Sequence, residues 1–294
     1  MRAKRRPEKT SGLNSTLEGL VSLRGPAFLH SDPLRFAHRY KNESDRETAA
    51  LIAALFAYGN VKAMGAFLEA LFSSLGPHPA AFLRGGGKIK SAPGYRFQKP
   101  SDVSAFLRGA GLTLKEYGSL ESAFCSAEGG PEEKLEAFAR LLRSKAGAMT
   151  PGLSQLMPLP STGSASKRWR LFLRWVVRPN DGLDLGIWRC LSPSQLIIPV
   201  DVHVARLSRA LGLTTRATPD ARFAMEATAA LARFCPEDPT RYDFALARLG
   251  ILKECKGRHV EELCSKCSLR PHCVLGNAGA AGLSPAPKGW SENK

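Results

Sequence analysis

Four cysteines near the C-terminus, Cys255, Cys264, Cys267 and Cys273, follow the pattern C-x8-C-x2-C-x5-C. Thiols at that density close a metal site, an iron–sulfur cluster or a disulfide knot. The basic opening, Met1-Arg-Ala-Lys-Arg-Arg, is followed by no apolar signal segment. A reducing cytoplasm is therefore the expected compartment, and it disfavours the knot. Four thiolates hold either zinc or an iron–sulfur cluster, and the spacing alone leaves both open. His259 and His272 are near enough in sequence to replace a thiolate at zinc. Lys256, Arg258, Lys266 and Arg270 interleave with the cysteines, so the loop is cationic apart from Glu254, Glu261 and Glu262. The remaining cysteines, Cys125, Cys190 and Cys235, are scattered and read as small buried apolar residues.

Two further segments carry chemistry. In Ile197-Ile-Pro-Val-Asp201-Val-His203-Val-Ala-Arg206, an apolar entry meets a carboxylate just before a helix that places Val204, Leu207 and Leu211 inward. Asp201 taken alone is a helix N-cap, and His203 taken alone is a hydrogen-bonded structural histidine. The segment 167–178 sorts onto a helix whose apolar face is Trp169, Phe172, Leu173 and Val176. Its other face carries Lys167, Arg170, Arg174 and Arg178 in a row. Such a row is either a solvated face or a set of phosphate contacts.

The elements that must position these groups read as helices throughout. The 294-residue chain is 44% hydrophobic with a formal charge of +16, which points to a polyanionic partner, most often nucleic acid. No apolar run is long enough for a membrane span. Residues 1–13 and 276–294 read as tails, and Ser44-Asp-Arg-Glu47 reads as a capping box for a small-residue helix that stops at Tyr58-Gly59-Asn60. Helical spacing recurs over 102–110, 119–126 and 131–146, and Pro158-Leu-Pro160-Ser-Thr-Gly163 breaks the chain before the basic helix. No alternating strand pattern is present, so the expected class is all-α.

The order of these pieces resembles the helix-hairpin-helix DNA glycosylases of the endonuclease III type. The resemblance spans about residues 44–273 and rests on Val200-Asp201-Val202-His203-Val204, on Arg206 and Gly212-Leu213, on Phe244–Gly250, and on the four-cysteine loop. Leu173–Arg178 and Asp184–Trp188 look more like a separate bacterial branch of that superfamily. The resemblance implies two helical lobes with DNA between them. One lobe is 14–43 with 198–275, bearing a [4Fe–4S] cluster on all four cysteines; the other is 44–197, carrying the hairpin. The chain departs from the pattern in three places. The first cysteine spacing is two residues longer, the hairpin Leu159-Pro160-Ser161-Thr162-Gly163 lacks its first glycine, and the only lysine near the usual nucleophile position is Lys167.

The resemblance assigns Asp201 to stabilising the oxocarbenium that forms when an N-glycosidic bond breaks, and Lys167 to Schiff-base chemistry. It places Arg168, Arg170, Arg174, Tyr58, Asn60 and His203 against double-stranded DNA, bound by a monomer in the cytoplasm at the nucleoid. RNA is a second candidate partner, and zinc a second candidate metal. Two functions stand: a base-excision glycosylase with or without lyase activity, and a non-catalytic nucleic-acid-binding protein on the same scaffold.

Overall fold

A computed structural model describes residues 8–277. Among these the chain is mostly helical, and its only β pairing is an isolated bridge between Tyr95 and Gln98. The α-helices are α1 (Glu8–Leu23), α2 (Glu43–Leu55), α3 (Val61–Leu75), α4 (Pro79–Arg84), α5 (Pro100–Tyr117), α6 (Leu120–Cys125), α7 (Pro131–Ala146) and α8 (Pro151–Leu156). They continue with α9 (Lys167–Val177), α10 (Val202–Ala210), α11 (Ala221–Leu231), α12 (Asp243–Ile251), α13 (Glu261–Cys264) and α14 (Val274–Asn277). The class is all-α. Among the described residues no helix is long and apolar enough to cross a membrane.

The described chain divides into two compact units, 8–25 with 197–277, and 26–196. The second is built around α2. Ala49 to Phe56 are fully buried there, because a helix that is apolar on every face must be covered on every face. Its small side chains let α9, α4 and the 3-10 segment Pro33–Arg39 close on it. Phe36 of that segment stacks on Phe72 at 5.2 Å. A second aromatic cluster joins Phe124, Phe138, Phe172 and Trp188, with Trp188 5.1 Å from Phe172 and 5.3 Å from Phe124. After α9 the chain folds back onto that helix: Leu185 N donates to Trp175 O at 2.7 Å, and Ile187 N and Trp188 N donate to Val176 O.

The other unit packs α1 against α12 and α10 against α12. Leu13, Leu17 and Leu20, at i, i+4 and i+7, form the buried face of α1, and Tyr242 Oη donates to Glu18 at 2.7 Å.

Several boundaries differ from expectation. Residues 8–13, placed in a tail, open α1, because Leu13 is part of its buried face. Gly276 and Asn277 close α14; the rest of both expected tails lies outside the described residues. Residues 26–43, expected with the cysteine-bearing lobe, belong instead to the unit 26–196, where Leu34, Phe36 and Ala37 pack on α2. The cap of α2 is Asn42, whose side chain accepts from Ser44 N and Asp45 N. The expected box at Ser44 and Glu47 does not form, since Glu47 is buried and accepts from groups far along the chain.

Candidate functional site

Asp201 is the N-cap of α10. Its Oδ1 accepts from His203 N and Val204 N, both at 2.8 Å. No hydrogen bond involves Oδ2 among the described residues, so one carboxylate oxygen remains at the positive end of the helix, partly exposed. His203 does not extend outward as a nucleic-acid contact. Its ring lies on the backbone of α12, where a Cβ added to Gly250 would stand 2.1 Å from Nδ1. Gly250 is the last residue of the Phe244–Gly250 motif, and its role is this close approach.

The four cysteines of the C-terminal loop line one cavity together with Leu207 and Leu249. Each is partly buried. Val260 N donates to Cys264 Sγ at 3.5 Å, and Gly276 N donates to Cys273 Sγ at 3.3 Å. Burial pushes the Cys255 and Cys267 thiols up, with their neighbouring thiols adding repulsion. Four thiolates at this spacing suit zinc and an iron–sulfur cluster alike. His259 Nδ1 lies 3.3 Å from Leu275 O and its Nε2 3.1 Å from Glu261.

The basic row of α9, in the unit 26–196, is not a phosphate-binding face. Arg170, Arg174 and Arg178 are buried. Arg170 forms a fork with Glu132, both contacts 3.0 Å, and donates from Nε to Ala165 O. Arg174 meets Asp184 at 3.0 Å, and Arg178 meets both Asp184 and Asp181. Asp184 is itself fully buried; burial pushes its carboxyl up, against the pull of the two guanidiniums. Folding neutralises the three arginines: Glu132 comes from α7, and Asp181 and Asp184 come from the chain as it returns along α9.

The first turn of α9 reaches the C-terminal carbonyls of α2. Lys167 Nζ donates to Ala57 O at 3.4 Å, and Arg168 donates to Leu55 O at 2.9 Å and to Gln155 O. These carbonyls are the negative end of a helix, so both cations are satisfied inside the protein. Burial pulls Arg168 down to about 10, and its guanidinium lies 4.9 Å from the Tyr58 ring centroid. Tyr58 is half-buried, donates to Gln98 Oε1 and is pushed up to about 12 by burial. Asn60 is the N-cap of α3. Thus of the residues expected to meet DNA in this unit, Arg168 and Tyr58 are packed on each other, and Asn60 spends its carbonyl on the backbone.

The hairpin keeps the turn that its second glycine demands: Gly163 has φ +79 and ends the 3-10 segment Pro160–Thr162. Trp169 Nε1 ties it to α9 through Pro158 O at 2.8 Å. Ser161 donates from N to Glu136 Oε2 at 2.9 Å and from Oγ to Oε1 at 3.0 Å. Burial raises the Glu136 carboxyl, but both Ser161 bonds and Arg140 outweigh it and hold the group below its ordinary range. A carboxylate thus occupies the Ser161 N–H.

Two features escaped the sequence reading. Glu47 is buried and holds Leu120 N at 2.9 Å, Glu121 N at 3.3 Å and Trp188 Nε1 at 3.0 Å. All three partners are neutral, so burial pushes this carboxyl up. Cys125 and Cys190 are joined in a disulfide with Cα atoms 6.3 Å apart, and Cys190 is exposed, which corrects their reading as buried apolar residues; Cys235 is buried and free. The pairing arises because Glu121 of α6 accepts from Arg189 N and from Cys190 N at 2.9 Å, seating that segment beside the helix end. No local motif signals either feature. A cavity of about 590 Å³ between α4 and α5 also brings Arg84, Lys88, Arg108 and Lys115 around an apolar lining that includes Leu107 and Leu112.

By fold and site this is an all-α protein with a four-cysteine loop in one unit and, in the other, a 3-10 turn at Pro160–Thr162 held by the Glu136 carboxylate. It belongs to the family described as protein of unknown function (DUF2400), whose profile matches residues 32–252, roughly three quarters of the chain. The match ends before Cys255. No curated protein and no solved structure matches the chain.

Proposed function

We propose that the protein is a DNA base-excision glycosylase in which Asp201 stabilises the sugar cation. The observation that carries this reading is the division of labour in one carboxylate: Oδ1 holds the first turn of α10, while Oδ2 has no hydrogen-bond partner among the described residues. A fixed negative charge of this kind is what an oxocarbenium needs beside C1′, and the backbone donors keep it in place as the reaction proceeds. The cysteine loop would carry a [4Fe–4S] cluster on Cys255, Cys264, Cys267 and Cys273. That group supplies a rigid cross-link, and the exposed Lys256, Arg258 and Lys266 around it would face the phosphate backbone of double-stranded DNA. Lys167 would act as a nucleophile only after leaving the Ala57 carbonyl; the simpler chemistry is base release by water, without strand scission.

The seal of Glu136 on Ser161 favours a second reading, a nucleic-acid-binding protein that has lost turnover. Replacing Asp201 separates the two. Asp201→Asn retains an acceptor for the cap and removes the charge, so a glycosylase variant folds and binds duplex DNA but releases base at least ~100-fold more slowly. The assay is base release from duplexes bearing uracil, oxidised or alkylated bases, with borohydride trapping for the lysine. If wild type and variant both lack turnover on every duplex and differ only in melting temperature, Asp201 is a cap and the binding-protein reading stands.

A further inference from the structure

The Cys125–Cys190 pair is placed for exchange rather than for burial. Cys125 is the last residue of α6 and is partly exposed; Cys190 is exposed, on the segment that follows Trp188. The Glu121 carboxylate lies within 4.8 Å of both sulfurs, and its Oε1 holds the Arg189 and Cys190 amides. The lysine Lys134 donates to Cys125 O at 3.2 Å and to Ala127 O, so a cation stands at the end of α6, where a thiolate on Cys125 would otherwise face only the negative pole of the helix. The bridge also spans the two elements that hold Glu47. Leu120 N and Glu121 N come from α6, and Trp188 Nε1 comes from the segment carrying Cys190.

We propose that Cys125 and Cys190 form a thiol–disulfide exchange site whose substrate is a dithiol, and that its state is read by the Glu47–Trp188 contact. A thiolate of the dithiol attacks the exposed Sγ of Cys190. A new S–S bond forms, the Cys125–Cys190 bond breaks, and its electron pair leaves on Cys125 Sγ, which takes a proton. The second thiol of the dithiol then attacks the mixed disulfide and expels the Cys190 thiolate, which is protonated in turn. The dithiol loses two electrons and two protons, and the protein gains both. Glu121 is a positioning residue: it seats the Cys190 amide so that the pair closes again on oxidation. This inference is independent of the glycosylase reading, since it uses neither Asp201 nor the cysteine loop.

The test equilibrates the full chain, without oxygen, in buffers of reduced and oxidised dithiothreitol. Thiols are trapped by alkylation and assigned peptide by peptide, which keeps the four loop cysteines apart from this pair. Cys125 and Cys190 are expected to become alkylated together in one two-electron transition, and tryptophan emission to change with the same midpoint. Cys190→Ser is expected to fold and to lose the emission change. Glu121→Gln keeps the bridge but shifts the midpoint. The proposal is overturned if both cysteines alkylate fully in the oxidised buffer. It is equally overturned if they resist excess dithiothreitol in the native protein and react only after denaturation, which would mark an inert cross-link.

Discussion

Replacing Asp184 by Asn tests whether the cationic row of α9 is structural. Asp184 is fully buried and meets Arg174 at 3.0 Å and Arg178 closer still, and both arginines are buried too. The amide keeps the shape and removes the charge that two guanidiniums share. Arg178 also meets Asp181 at 3.3 Å. Removing one partner of a buried pair costs about 3–5 kcal/mol. In a unit of this size each kcal/mol moves the melting temperature by about 2–4 °C, so the expected fall is roughly 6–20 °C. The assay is thermal or urea unfolding of the full chain. The double variant Arg174→Met with Asp184→Leu should recover most of the loss, because well-packed apolar residues replace such a pair at little cost. In parallel, Arg174→Ala should leave the salt dependence of DNA binding unchanged in whatever protein remains folded. A destabilisation below about 0.5 kcal/mol for Asp184→Asn, the range of ordinary surface changes, would refute the reasoning.

The cysteine loop should give a brown protein with about four irons when purified without oxygen, and Cys264→Ala or Cys267→Ala should lose both the colour and the hydrogen-exchange protection of 255–273; a colourless protein with stoichiometric zinc would overturn the cluster. Glu136→Ala should free the Ser161 amide and tighten duplex binding, steepening the log–log salt slope by about 0.9 if one phosphate moves in; an unchanged slope means that turn meets no DNA. The folded Glu136 carboxyl lies below its ordinary range, so its contribution is present above the unfolded carboxylate pKa and is lost as pH falls through the folded value. The melting difference between wild type and Glu136→Gln should therefore vanish in acid. Lys256→Ala and Lys266→Ala should each flatten the slope by about 0.9 if each meets a phosphate, with similar losses on all sequences.

Helix content and the apolar faces were legible because periodicity reports burial directly. Trp169, Phe172 and Val176 share a face in the sequence and are buried in the fold. The polar face of the same helix was misread because a charge count does not name the partner. Glu132 lies 38 residues before Arg170, and Asp184 pairs with Arg174 only because the chain turns back after α9. A cue was present, Arg174 and Arg178 four apart with Asp181 and Asp184 three apart just beyond, but it takes the return of the chain to become an ion-pair cluster. Ser44 and Glu47 show the converse. Their spacing matches a capping box, yet Asn42 caps the helix and Glu47 is claimed by Trp188, 141 positions away. The Asp201 cap was legible because it is local; the Cys125–Cys190 bridge, 65 residues apart, was not.

The net charge of +16 now has a location as well as a size. Arg170, Arg174, Arg178 and Arg248 are buried, so they add to the count without adding to any surface a polyanion can reach. Lys167 and Arg168 are turned onto the carbonyls at the end of α2. Among the exposed cations of the described residues, Lys256, Arg258 and Lys266 lie on the cysteine loop, and Arg84, Lys88, Arg108 and Lys115 lie around the cavity between α4 and α5. Counterion release depends on which cations reach phosphate, not on how many the chain carries. Affinity for duplex DNA should therefore follow the integrity of the cysteine loop more closely than the basicity of α9. A chain whose hairpin amide is already held by Glu136 has the more reason to depend on that loop.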